Sequence, residues 1–270
     1  MKRNKFRLLV LSCTVITGTL ILQACKKSFL DAQPYGQYSS DLISNKKGLD
    51  ALLVGVYGVL DGQGVTSTWA PSATNWATAG VCADDAYNGT DANDQPQMTE
   101  VEQYKSQPAN PYFYDKWLAV YEGVARANAV IKQADDPKIV LAEEDKKNII
   151  GQARFLRGHY HFEAKKMLNK VPYISDTTSS YTNATDIWPN IEADFKFAYD
   201  NLPETQDAAA KANQWAAACY LAKSYMYEKK FTEAKALYDV ITVSGKTANG
   251  NPYGLQDAYW KNFDANFENS

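Results

Sequence analysis

Between Val65 and Asn110 the chain is dense in carboxylates and amides. From Asp84 it reads D-D-A-Y-N-G-T-D-A-N-D, and tyrosines stand at Tyr87 and Tyr104. Such side chains can cage calcium, act as an acid–base pair, or bond the hydroxyls of a ligand. The calcium reading fails on order, because an EF-hand loop needs a bidentate Glu at its twelfth place and Gln95 stands there. A glycosidase needs two carboxylates flanking a cleft, and the adjacency of Asp84 and Asp85 assigns neither role. A loop this long inside a compact domain is usually functional or disordered. The candidate ligand groups are therefore Tyr87, Asn88, Asp91, Asn93 and Tyr104, with a polar loop that holds no ligand as the alternative. Eighteen tyrosines and six tryptophans serve mostly as packing, yet an aromatic-rich surface also suits stacking on sugar faces.

Little else in the chain points to catalysis. His159 and His161 are the two histidines; two residues apart on a helix they point about 200° from each other and cannot grip one metal. They read as ordinary surface or partly buried imidazoles. Of four cysteines, Cys82 and Cys219 lie far apart, and nothing in their spacing requires a disulfide. No zinc-type spacing, G-x-S-x-G, H-E-x-x-H or phosphate-cradling glycine loop occurs. No metal, cofactor or catalytic residue is expected, and the chain reads as a binding protein rather than an enzyme.

The amino terminus is a targeting segment. Lys2, Arg3, Lys5 and Arg7 precede an apolar run from Leu8 to Leu22, short for a membrane span and suited to a signal peptide. Leu22, Ala24 and Cys25 satisfy a lipobox, with Gln23 an unusual occupant. Residues 1–24 are expected to be removed and Cys25 to carry palmitate and diacylglyceryl chains, which together anchor stably where one chain holds only marginally. The formal net charge of −3 becomes more negative by the leader's four unbalanced cations. An acidic chain without a basic patch is a poor nucleic-acid binder. Residues 25–270 suffice for one sizeable core.

Helices must position the polar loop. Leu49, Leu52, Leu53, Val56, Tyr57 and Leu60 share one face of a helix over 46–60, and Trp76–Ala83 forms a short one. A strong helix spans Pro111–Ala134, with proline in the first turn. Asn128, in its apolar stripe, reads as a buried amide satisfied by backbone rather than a ligand contact. The next helix starts at Glu143 and Glu144 and runs to Leu168. Its apolar positions recur in steps of three and four, lysines gather near its end, and Pro172 forbids continuation. Arg154 and Arg157, three apart on that helix, are expected to be structural. Further helices are expected at Asp186–Asn201 and as a pair within Asn213–Ser244, joined at Glu228-Lys229-Lys230.

These residues carry a resemblance to the SusD/RagB family. Its hallmark helix reads A-E-A-R-F-L-R-A-Y-Y-Y-F, then a basic stretch, then G-D-V-P-L. Ala153, Arg154, Phe155, Leu156, Arg157, Tyr160, Phe162, Val171 and Pro172 fit, while Gly151-Gln152 and Asn169-Lys170 depart from it. Phe29-Leu30-Asp31 with Pro34, the Asn128 context and I-E-A-D-F-K-F-A-Y-D-N-L-P are also similar. Leu221, Ala222, Tyr225, Phe231, Ala234, Tyr238 and Ile241 resemble a tetratricopeptide repeat. The resemblance implies a mainly α fold, a superhelix of tetratricopeptide-like helix pairs with long irregular loops. It implies an outer-membrane lipoprotein that captures oligosaccharides or related nutrients for a SusC-like TonB-dependent transporter. A glycan-active enzyme and a repeat scaffold binding only protein are the alternatives. The likeness covers residues 22–270 but only the N-terminal half of the family's length. The chain is thus expected to be a C-terminally truncated piece, with bare apolar repeat surface.

Overall fold

The computed structural model describes residues 43–61, 75–83, 85–89, 91 and 94–267. The leader, Cys25, the Phe29–Pro34 strap, Gly62, Gly64, Asp84 and Asn93 lie outside the described residues. Among those described, the chain is helical and has no strand, only one isolated bridge between Lys246 and Pro252. The mainly α, tetratricopeptide-like architecture is therefore observed.

Among the described residues seven α-helices follow one another: α1 (Lys46–Tyr57), α2 (Pro96–Glu102), α3 (Pro111–Ala134), α4 (Glu143–Leu168), α5 (Trp188–Asn201), α6 (Gln214–Tyr227) and α7 (Phe231–Ser244). From α3 onward each packs on the next, and α1 lies across α3 and α4. Local chemistry sets the ends. Asn45, Asn110 and Asn213 each accept a backbone N–H of the first turn, satisfying donors that a helix start leaves open. Glu143, Glu144 and Asp145 fill the first turn of α4, and Lys165 and Lys166 its last, both complementing the helix dipole. Asn169 ends α4 at φ 62°, a positive φ that asparagine tolerates.

The core is centred on α4, whose Ala153, Leu156, Tyr160, Phe162 and Ala164 are buried. Two glycines set the spacing of its neighbours. A Cβ on Gly123 of α3 would lie 2.4 Å from the Tyr160 ring, and one on Gly158 would lie 3.0 Å from Phe195. Tyr160 crosses that gap and donates to the Val56 carbonyl at 2.6 Å. Gln152, which stands where the family has Glu, is buried. It accepts from the Tyr57 hydroxyl at 2.9 Å and donates to Asn148 at 3.0 Å. A carboxylate there would bring an unneutralised charge into the core.

The differences from the sequence reading are local. The first helix ends at Tyr57 rather than 60, leaving Leu60 exposed. Trp76–Ala83 contains a five-residue π-helical segment, Ala77–Val81, and the stretch to Asn110, read as irregular, includes α2. His161 is fully buried rather than at the surface or partly buried. Cys82 and Cys219 are free thiols. Apolar side chains are bare at the carboxyl-terminal end: Phe231, Val243, Tyr259 and Phe263 are all more than half exposed. No helix among the described residues is long and apolar enough to cross a membrane.

Candidate functional site

The polar stretch folds into a small module with its own core. Ala77 and Val81 of the π-segment, Met98 of α2 and Tyr112 of α3 bury one another. Pro96 opens α2, where its missing N–H costs nothing. Gln95, just before it, takes a left-handed conformation at φ 48° and accepts from the Tyr112 hydroxyl at 2.8 Å. Asn110 ties the other end, donating to the Gln97 carbonyl at 2.8 Å.

Asn88 braces this module from within. Its side-chain amide donates to the Asp94 carbonyl at 2.6 Å, the Gln95 carbonyl at 3.2 Å and the Thr99 hydroxyl at 3.1 Å. Its own backbone N–H donates to Glu102 at 3.1 Å. Those bonds use its two N–H donors inside the protein. Tyr104 adopts φ 54° and sends its hydroxyl to the Cys82 carbonyl, bridging the ends of α2 and the π-segment. Its ring remains 78 % exposed. Tyr87 is 69 % exposed and lies against Gly89, where a Cβ would meet the ring at 2.4 Å. Asp91 is exposed, and its carbonyl accepts from the Asp94 N–H at 3.0 Å. The structure thus brings Tyr87, Asn88, Asp91 and Tyr104 onto one module; Asn93 lies outside the described residues. Among those residues, no three His, Cys, Asp or Glu side chains are placed to hold a metal ion.

Behind the module, the hallmark helix is occupied internally. Arg157 is 2 % exposed. Its guanidinium forks onto Asp194 at 2.9 and 2.7 Å and also donates to Asn128 at 2.9 Å and Asp176 at 3.0 Å. Burial works against its charge, and the two carboxylates outweigh it, holding its pKa above the ordinary value. Tyr173 donates to the same Asp194 at 2.8 Å. Asn128 passes its amide hydrogen to the Ile174 carbonyl at 3.0 Å, and Tyr121 donates to the Pro172 carbonyl at 2.7 Å. His161 joins α4 to this returning segment. Its Nδ1 lies 3.0 Å from the Arg157 carbonyl and its Nε2 accepts the Ile174 N–H at 3.1 Å. A carbonyl can only accept and an amide N–H can only donate, so His161 is neutral with its proton on Nδ1. Burial and the Arg157 charge push its pKa down to about 3. Arg154 is half-buried, with its guanidinium 4.3 Å from the Phe197 ring centroid and 3.8 Å from Asp194.

The hallmark residues therefore pin Val171–Ile174 across α3, α4 and α5. A family profile described as starch-binding and associating with the outer membrane matches residues 28–226. The chain belongs to the SusD-like family. SusD-like protein P2 of Formosa agariphila is 25 % identical over 244 residues, covering 87 % of this chain and 45 % of that protein. A laminarin-binding SusD-like protein superposes with a TM-score of 0.65 at 23 % identity, over 81 % of this chain and 48 % of the other. Surface glycan-binding protein A of Bacteroides thetaiotaomicron, solved with laminarihexaose, gives a TM-score of 0.66 at 18 % identity, over 83 % and 47 %. These SusD-like structures share the fold, and the chain spans less than half the length of each relative.

Proposed function

We propose that this SusD-like protein captures oligosaccharides or related nutrients at the outer membrane and passes them to a SusC-like TonB-dependent transporter. The observation that carries the reading is the pair of exposed rings, Tyr87 and Tyr104, held on a braced polar module of a SusD-like chain. Stacking against a sugar needs a flat apolar face whose position does not have to be ordered on binding. Tyr104 meets that need through its hydroxyl bond to Cys82, and Tyr87 through its contact with Gly89. Asp91, Asn88 and Asn93 supply hydrogen bonds to hydroxyls. The mechanism is binding without turnover, with no cofactor and no metal. A lipid anchor at Cys25 holds the protein at the membrane.

Titration with a glycan panel headed by laminari-oligosaccharides, run beside a hydrolysis assay, tests the reading. Binding without product, lost in Tyr87→Ala and Tyr104→Ala, is expected. Product formation would make the protein an enzyme, and binding untouched by both variants would move the site elsewhere. Cys25→Ser should shift the protein from the membrane pellet to the soluble fraction; unchanged palmitate labelling would overturn the anchor.

A further inference from the structure

A separate cavity of about 280 Å³ opens beneath the module, between its π-segment and the facing sides of α3 and α4. Val59, Ala119, Val120 and the Tyr160 ring make its apolar part. Its polar part is built from Asn75, Lys116, His159, Glu163 and Lys166. Lys116 is only 6 % exposed. Its ammonium donates to the Asn75 side chain and lies 3.8 Å from Glu163. Lys166 donates to both Glu163 oxygens, at 2.8 and 2.9 Å.

The charges around this cavity do not cancel. Glu163 is the carboxylate that Lys116 and Lys166 share, and Lys223, outside the lining, also acts on His159. Burial and the three lysines hold His159 neutral, at about 4, against the pull of Glu163. Glu163 stays ionised, because its lysine partners outweigh the cost of its burial. A buried ammonium is expensive, and an apolar residue of similar volume is often as good for stability or better. The fold nonetheless keeps Lys116 facing an open cavity with an excess of positive charge. Ligand pockets commonly run from about 300 to 1,000 Å³, so this one suits a single ring. Lysine acts as a point charge and does not impose the planar fork of arginine, so it accepts carboxylate and sulfate alike.

We propose that this cavity is a subsite for one acidic sugar unit, whose anionic group takes the ammonium hydrogens that Lys116 and Lys166 do not give to Asn75 and Glu163, while its ring lies against the exposed Leu60 of the lining. The proposal rests on the glycan-capture reading and adds to it a preference for ligands carrying carboxylate or sulfate groups.

Calorimetric titration of the protein with D-glucuronate, glucose 6-sulfate and glucose tests it, with laminari-oligosaccharide as the neutral control. Both acidic sugars are expected to bind at least about tenfold more tightly than glucose, as charge-assisted bonds do over neutral ones. Preference for one of the two names the anionic group. Lys116→Met, which keeps the side chain's volume, and Lys166→Gln, at an exposed position, should each remove that preference while leaving thermal stability near the parent's. Equal affinity for acidic and neutral sugars, or an acidic preference that survives both variants, overturns the subsite. If laminari-oligosaccharide binds and the acidic sugars do not, the subsite falls and glycan capture stands. If the acidic sugars alone bind, the subsite stands and the neutral-glycan reading falls.

Discussion

The Arg157 hub and the Asn88 module both rest on polar groups bonded to backbone, yet they differ in what surrounds them. Arg157 sits where three helices and a returning segment converge. Two of its partners, Asp194 and Asn128, are buried, and the third, Asp176, belongs to the returning segment and is partly exposed. Asn88 braces a module whose core has four buried residues and whose outer face carries two bare aromatic rings. The first arrangement gives rigidity to the whole chain. The second gives rigidity to a surface, with far less apolar burial behind it, which is where a binding face can be varied without unfolding the scaffold.

The largest effect should come from Arg157→Ala. It leaves Asp194 buried with its two strongest bonds gone, and breaking such a pair costs about 3–5 kcal/mol. Urea denaturation should show it as a lower midpoint with cooperativity retained. A loss below about 1 kcal/mol would mean that the hub is not what holds α3, α4 and α5 together.

Acid should act next, and through the main core. His161 and His159 are depressed to about 3 and about 4 in the folded protein, so the unfolded chain binds more protons than the folded one below its own histidine pKa near 6.5. Their stabilising share is fully present above that value and is lost as pH falls from about 6.5 toward 4. Each proton contributes a slope of about 1.4 kcal/mol per pH unit. Denaturation at a series of pH values checks this, and His161→Leu should flatten the slope by one proton. An unchanged slope would mean His161 is not held neutral.

Asn88→Ala should be smaller and local, about 1–3 kcal/mol for donors and acceptors left without their partner. Hydrogen exchange should rise across 95–102 while α4 stays protected. Global destabilisation equal to that of Arg157→Ala would erase the distinction between the two regions. Tyr87→Ala should be the mildest for stability, within about 0.5 kcal/mol as exposed positions usually are, and should be read in glycan affinity alone.

Much of the scaffold was legible before any coordinates. The bounds of α3 and α4 follow from neighbours in the chain: Pro111 in the first turn, Glu143 and Glu144 at the start of α4, and Pro172 beyond its end. The structural role of Arg157 was also legible, through the family pattern around it. In contrast, α2 has only Met98 and Val101 buried in seven residues. It is stable because the π-segment and Tyr112 cover it, and no periodicity that short announces a helix. The candidate ligand residues could be named by type, but not sorted. Asn88 and Tyr87 are adjacent in sequence, yet one is turned into the module and the other is exposed.

Among the described residues, the sequence by itself determined the helix count of the main scaffold and the termini of its two longest helices, and it pointed to the family, because caps, apolar stripes and the hallmark pattern act between near neighbours. Only the tertiary structure decided that His161 is neutral and buried, that Asn88 is a brace, and that Lys116 faces a cavity with Lys166 and Glu163. Those properties depend on desolvation and on partners outside the local turn: Ile174, 13 residues from His161, and Asn75, 41 residues from Lys116, with Glu163. The charge and hydrogen-bonding of a side chain are set by what surrounds it in space, and that is not written in its own stretch of chain.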